Sequence, residues 1–169
     1  MVTSRERDSF TVGIITISDR GARGEREDLS GKAIQEMVPR IGGEVRAYVV
    51  IPDERDLIAE TIVAMVDRDD LDVVLTTGGT GLGPRDVTPQ ATRSVVDYEV
   101  PGLAEAMRME SLKKTPMAML SRAVAGVRGR SLVVNLPGSP KGVRECLEVV
   151  APALRHAVEI LRGDVGEHQ

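Results

Sequence analysis

The residues best able to do chemistry run from Thr76 to Pro89, in the order Thr-Thr-Gly-Gly-Thr-Gly-Leu-Gly-Pro-Arg-Asp-Val-Thr-Pro. This segment leaves the carboxyl end of an apolar run, where open α/β sheets place their ligands. Gly78, Gly79 and Gly81 let backbone N–H groups approach an anion with no Cβ in the way, and Thr77 and Thr80 add hydroxyls. A phosphate or a pterin-like ring suits such a loop. The pattern is not Walker A, because no Gly-Lys-Ser/Thr follows. Nor is it the dinucleotide-binding turn, because Gly79-Thr80-Gly81 leads to Gly83 and not into a helix. The competing reading is a tight structural turn, against which four glycines in the six residues 78–83 favour binding.

Asp53 follows Ile51-Pro52 at the end of a second apolar run, and Asp86 lies just past the third, so both carboxylates are expected at one sheet edge. Two carboxylates suit Mg²⁺, which completes its shell with water and substrate phosphates. Each also has an ordinary reading: Asp53 as the cap of a helix starting near Asp56, Asp86 as the organiser of its own loop. Asp19, after Ile17-Ser18, is a third candidate at this edge, with a turn residue as its alternative. Leu136-Pro137-Gly138-Ser139-Pro140-Lys141-Gly142 repeats the arrangement of strand, glycine turn and capped helix. It is either a second anion site, with Lys141 nearby, or a plain connection. The spacing of Ser121-Arg122 supports no catalytic dyad. His156 has no ligand partner at metal-binding spacing, His168 is near the terminus, and the single cysteine, Cys146, reads as a core residue.

These loops need strands to carry them. Thr11–Ile17, Val45–Ile51, Val73–Thr77 and Ser131–Leu136 read as strands, with a weaker strand at Ala123–Val127 making a hairpin across Arg128-Gly129-Arg130. Helical periodicity runs from Ala33 to Ile41, ended by Gly42-Gly43, and from Leu57 to Val66. Further helices are expected from Thr88 to about Val96, from Leu103 to Leu112 and from Ser139-Pro140 through Val150, with a restart at Pro152 running to about Leu161. Alternating strands and helices predict one α/β domain spanning 1–169, a three-layer αβα sandwich on a mostly parallel sheet with one short antiparallel hairpin. The loop Arg20–Gly31 is expected to be mobile, and residues 1–9 and 164–169 flexible.

A chain of 169 residues, 41% hydrophobic, supports one core. It shows no signal-like or membrane-length apolar run, so a cytoplasmic protein is expected. With 26 acidic against 22 basic residues, one Phe, two Tyr and no Trp, it has neither the basic stripe nor the stacking platform of a nucleic-acid binder. A small ligand is the better match.

Together, Thr76–Pro89, Ile51–Glu54, Leu120–Arg122 and Asn135–Lys141 resemble the Mog-type molybdopterin adenylyltransferases, a resemblance that runs from about Thr11 to Gly163 and extends to the G-type domains of scaffold proteins such as gephyrin. It implies a trimer that transfers AMP from Mg-ATP to the terminal phosphate of molybdopterin and releases pyrophosphate. It assigns Asp53 and Asp86 to catalysis and Mg²⁺, the pterin to Thr77, Gly78, Gly79, Thr80, Gly81 and Ser121, and the nucleotide to Ser18, Asp19, Pro137, Gly138 and Ser139. Relatives of the MoaB branch that lack the aspartate pair suggest the alternative, a silent pterin-binding carrier or scaffold; this chain has both aspartates. A molybdenum-insertion protein would be the downstream partner. Leu103, Met107, Met109, Leu112, Met117 and Met119 either fill core gaps or lie between subunits.

Overall fold

A computed structural model describes residues 9–164. The stretch 1–8, read for targeting and flexibility, and residues 165–169 with His168 lie outside the described residues. Six strands form one sheet: β1 Phe10–Ile17, β2 Gly43–Ile51, β3 Val73–Thr77, β4 Tyr98–Glu99, β5 Ala125–Arg128 and β6 Ser131–Leu136. Their order is β2-β1-β3-β6-β5-β4, with the first four parallel, β5 antiparallel to β6 and β4 antiparallel to β5.

Period-two alternation in the strands divides the core. Phe10, Val12, Ile14, Val73, Leu75, Leu132, Val134 and Leu136 face one side. There they pack under α2 (Leu29–Met37), α5 (Pro101–Leu112) and α6 (Pro140–Arg162). Ile15, Ile17, Val74 and Val133 face the other, under α3 (Arg55–Val63) and α4 (Thr88–Val95). Both faces are therefore covered, which is why the central strands read as continuous apolar runs. The three layers and the antiparallel hairpin agree with the expected fold class.

Several boundaries differ from expectation. The first long helix ends at Met37, and Val38–Ile41 tightens into a 3₁₀ turn because Pro39 cannot donate into an α-helical ladder. Gly42 then supplies the left-handed cap, and Gly43 already belongs to β2. Helix α3 passes into a wider π turn over Ala64–Arg68. The loop from Arg20 to Gly31 holds a short helix, α1 (Asp19–Ala22), and the first turn of α2, which Asp28 caps. Two-residue β4 was too short to show periodicity.

Pro152 does not restart a helix: α6 runs unbroken for 23 residues. Val143, Cys146, Leu147, Val150, Leu154 and Val158 stay on one buried stripe past the proline, and Pro152 itself is exposed, so packing outweighs the lost backbone hydrogen bond. Among the described residues, no helix is long and apolar enough to cross a membrane.

The end of α6 is tied to the start of the sheet. Arg162 grips Asp72 through Nε at 3.1 Å and Nη2 at 2.5 Å, and Asp72 accepts from both the backbone N–H and the hydroxyl of Thr11, at 2.8 and 3.0 Å. Removing one member of a largely buried charge pair leaves the other uncompensated. Asp72→Ala is expected to lower unfolding stability by about 3 kcal/mol. Urea titration of the variant beside the parent protein checks this.

Candidate active site

The parallel strands end at one edge, and the loops that leave them build the site. The chain leaving β1 turns to α2 on one face while the chain leaving β3 reaches α4 on the other, which opens a crevice between the two strand ends. At its floor Gly78 has φ +97°, and a Cβ there would collide with the Ile17 carbonyl oxygen, so this crossing admits only glycine. Gly79 comes next at φ +70°, where a Cβ would run into the Thr88 hydroxyl.

A cleft of about 400 Å³, mixed in lining and the more polar of the two cavities at this edge, occupies the crevice. Ser18, Asp53, Gly78, Gly79, Asp86, Gly138 and Ser139 line it, so residues from four separate loops meet there as expected. A second cavity of about 380 Å³, mostly apolar in lining, lies on the other side of the glycine loop. Thr80, Gly81, Ser121 and Pro137 border it, with Met107, Ser111, Lys114 and Cys146. Ser139 borders both. The glycine loop expected to serve one ligand is thus a partition: Gly78 and Gly79 face the more polar cleft, and Thr80 and Gly81 the apolar cavity.

Several hydroxyls expected at the ligand are used within the protein. Thr77 donates to the Pro137 carbonyl at 2.7 Å, Ser18 caps α1 by accepting from the Gly21 N–H, and Ser139 caps α6 by accepting from the Gly142 N–H. Thr77 is buried, so it fixes the distance between the two glycine turns and does not offer a free donor. Asp19 does not line the polar cleft. Its carboxylate takes a bidentate grip from Arg85, 3.0 Å on both arms, and accepts from the Asp53 N–H, while its own N–H donates to Asp53 Oδ2 at 2.9 Å. Arg85 and the Asp53 N–H hold the Asp19 carboxyl below its ordinary value.

Asp53 behaves in the opposite sense. Burial, and then the negative charges of Asp19 and Asp86, push its carboxyl above the ordinary 3.8 against the hydrogen bond from Asp19. It does not cap α3; Glu54 holds that position, without a side-chain bond. Asp86 does order its own loop, accepting from the Gly83 N–H at 2.9 Å. Two carboxylates on one cleft wall whose charges repel fit a hard dication, with water and phosphate oxygens completing its shell. Among the described residues no group of three or more His, Cys, Asp or Glu forms a metal cluster.

Sequence reasoning missed the residues that brace the site. Buried Asn135 donates to Thr76 and Thr92, each at 3.0 Å, and accepts from the Val124 N–H. Thr88 closes the base of the loop with its hydroxyl on the Gly78 carbonyl. Ser30 donates to the Gly138 carbonyl at 2.6 Å, holding the second glycine turn from α2. An Asn inside the apolar run Ser131–Leu136 was the one visible signal. Cys146 is buried as expected and exposed His156 lies 3.6 Å from Glu159.

The sequence pattern described as "Probable molybdopterin binding domain" matches residues 13–156. The chain belongs to this family. Within it, the chain is 48% identical over 155 residues to the molybdopterin adenylyltransferase of Helicobacter pylori J99, covering 90% of this chain and 88% of that one. It is 42% identical over 150 residues to the Escherichia coli K12 protein of the same name, covering 86% and 75%. The crystal structure of the molybdopterin biosynthesis enzyme MoaB from Thermus thermophilus superposes with a TM-score of 0.87 at 57% identity, covering 91% and 97%. The glycine partition and the aspartate pair lie inside the matched segment of the molybdopterin-binding domain.

An aspartate with a raised carboxyl weakens folding once it ionises. The cost is absent below 3.8 and grows as pH rises above that value through the raised one. Asp53→Asn is therefore expected to melt at a higher temperature than the parent at pH 7, with the gap closing as pH falls toward 3.8. Thermal melts at the two pH values check the sign.

Proposed function

We propose that the protein is a cytoplasmic molybdopterin adenylyltransferase of molybdenum cofactor biosynthesis, which transfers AMP from Mg-ATP to the terminal phosphate of molybdopterin and releases pyrophosphate. The observation that carries this reading is the partition: two cavities, one of mixed lining and one mostly apolar, meet at Ser139 and the glycine loop, with both aspartates on the more polar side. The names of the 48% and 42% identical relatives support it.

In this reading the pterin ring enters the apolar cavity beside Thr80, Gly81 and Ser121, and its phosphate reaches the wall formed by Gly78 and Gly79. The nucleotide's phosphates lie in the polar cleft against Ser18, Gly138 and Ser139. Asp19 serves by fixing Asp53, and Pro137 by receiving the Thr77 hydroxyl. The phosphate monoester oxygen bonds to the α-phosphorus as the bond from that phosphorus to the bridging oxygen breaks, and pyrophosphate carries the electron pair away. The attacking phosphate is largely ionised near neutrality because its second pKa is about 6, so no side chain is required as a base. Asp53 and Asp86 would hold Mg²⁺, which when bound neutralises the charge on the phosphates. The protein's own contribution is to place two anions in line and to keep them from water.

Incubation with molybdopterin and Mg-ATP, followed by mass spectrometry, tests the reading: adenylylated pterin is expected, whereas unchanged pterin that co-purifies would point to a carrier. Asp53→Asn and Asp86→Asn are each expected to cut turnover by roughly 10³-fold, about 4 kcal/mol of transition-state stabilisation.

The same reading includes a homotrimer and hand-over of product to a molybdenum-insertion protein. The trimer is supported by the apolar side chains of α5 and the turn after it, where Met109, Leu112, Met117, Met119 and Leu120 are exposed while Met107 is buried in the core. Light scattering is expected to give three times 18.2 kDa at micromolar concentration; the mass of a single subunit would refute the trimer.

A further inference from the structure

Arg122 carries no role in the transfer scheme. It sits between the 3₁₀ turn Pro116–Leu120 and β5, half-buried. All its hydrogen bonds go to carbonyls of the glycine loop: its N–H donates to Thr80 O at 2.9 Å, Nε to Gly81 O at 2.9 Å and Nη2 to Asp86 O at 2.8 Å. Among the described residues no carboxylate forms an ion pair with it, in contrast to Arg85, which is exposed and paired with Asp19.

The geometry is that of a bracket. Gly81 and Asp86 begin and end an excursion whose middle residues, Leu82 to Arg85, are exposed. Inside it, Gly83 and Asp86 close a turn on each other: the Asp86 N–H donates to Gly83 O at 3.0 Å, and the Gly83 N–H to Asp86 Oδ2 at 2.9 Å. That internal turn fixes the loop's shape but not its place. Its place is set by Thr88 at the base, by the Arg85–Asp19 ion pair at its exposed middle, and by the planar Arg122 guanidinium fork, which spans both arms at once as a single ammonium cannot.

We propose that Arg122 is a positioning residue for the transfer reaction, whose fork brackets residues 81–86 and so holds Asp86 on the cleft wall it shares with Asp53. The proposal rests on the reading of Asp86 as a working carboxylate, and it makes Arg122 act through Asp86, not on the substrate. Lysine at this position keeps the charge and loses the bracket.

Turnover of four proteins tests it: the parent, Arg122→Lys, Asp86→Asn and the double variant. Arg122→Lys is expected to lower kcat by roughly 10²-fold with the pterin KM little changed, the scale on which a displacement of about 1 Å acts. In the Asp86→Asn background the same change is expected to add no more than about twofold, because its route of action is already gone. Wild-type kcat in Arg122→Lys, or a full second loss in the double variant, overturns the proposal. Normal turnover in Asp86→Asn instead overturns the reading of Asp86 and the proposal with it, a result visible without any Arg122 variant. A readout free of substrate and metal is trypsin cleavage after Arg85, followed by the mass of fragment 1–85. Faster cleavage is expected in Arg122→Lys at temperatures where circular dichroism shows it folded, and an unchanged rate counts against the bracket. Arg122→Gln, which reaches one carbonyl only, carries the same tests should Arg122→Lys fail to fold.

Discussion

The approach of one backbone to another at Gly78 is the constraint on which the rest depends. The chain leaving β3 passes so near the carbonyl of Ile17 that no side chain fits, and this brings the exits of β1 and β3 together. With that distance fixed, Asp53 beyond β2 and Gly138 beyond β6 fall onto the same cleft, because the parallel register carries each strand end to the same edge. A wider crossing would separate the aspartates from the second glycine turn.

Glycine-rich turns hold no shape by themselves, since their backbone has more freedom to lose than any other. Here each is pinned by hydroxyls and amides that the surrounding fold supplies. Thr88 holds the first, Thr77 and Ser30 hold the second, and Asn135 anchors the strand ends beneath them. These donors are largely buried, so each would be costly to leave unpaired and the arrangement is rigid for the same reason that it is paired. Asp53 stands against this background of satisfied groups as a carboxylate whose surroundings disfavour its charge. The candidate site therefore carries electrostatic tension at Asp53.

The central strands were legible because burial on both faces makes them continuous apolar runs, and the gathering of the candidate residues at one edge followed from the rule that loops at the carboxyl ends of parallel strands share a crevice. The pairing of Asp53 with Asp86 was legible for the same reason. Pro152 was not, because a local rule for proline cannot see that six buried side chains on one stripe hold the helix through it. The division of the glycine loop between two cavities was not legible either: whether Thr77 and Thr80 face one ligand or two depends on α5 and on the turn over Pro116–Leu120, which lie far along the chain. Asp19 looked like its neighbours in type and position, yet Arg85, 66 residues away, claims its carboxylate.

Arg162 touches more than Asp72. Its Nη2 also reaches the carbonyl of Ser9 at 3.2 Å, so the entry to β1 and the exit from α6 meet at one point. That point lies at the amino ends of the strands, on the side of the sheet away from both cavities. The described chain is in effect a closed loop with its seam at the back, a geometry that tolerates insertion into a longer polypeptide or rejoining of its ends elsewhere. A neighbour joined at the seam would lie across the length of the strands from both cavities, so linkage and the candidate site occupy opposite ends of the sheet.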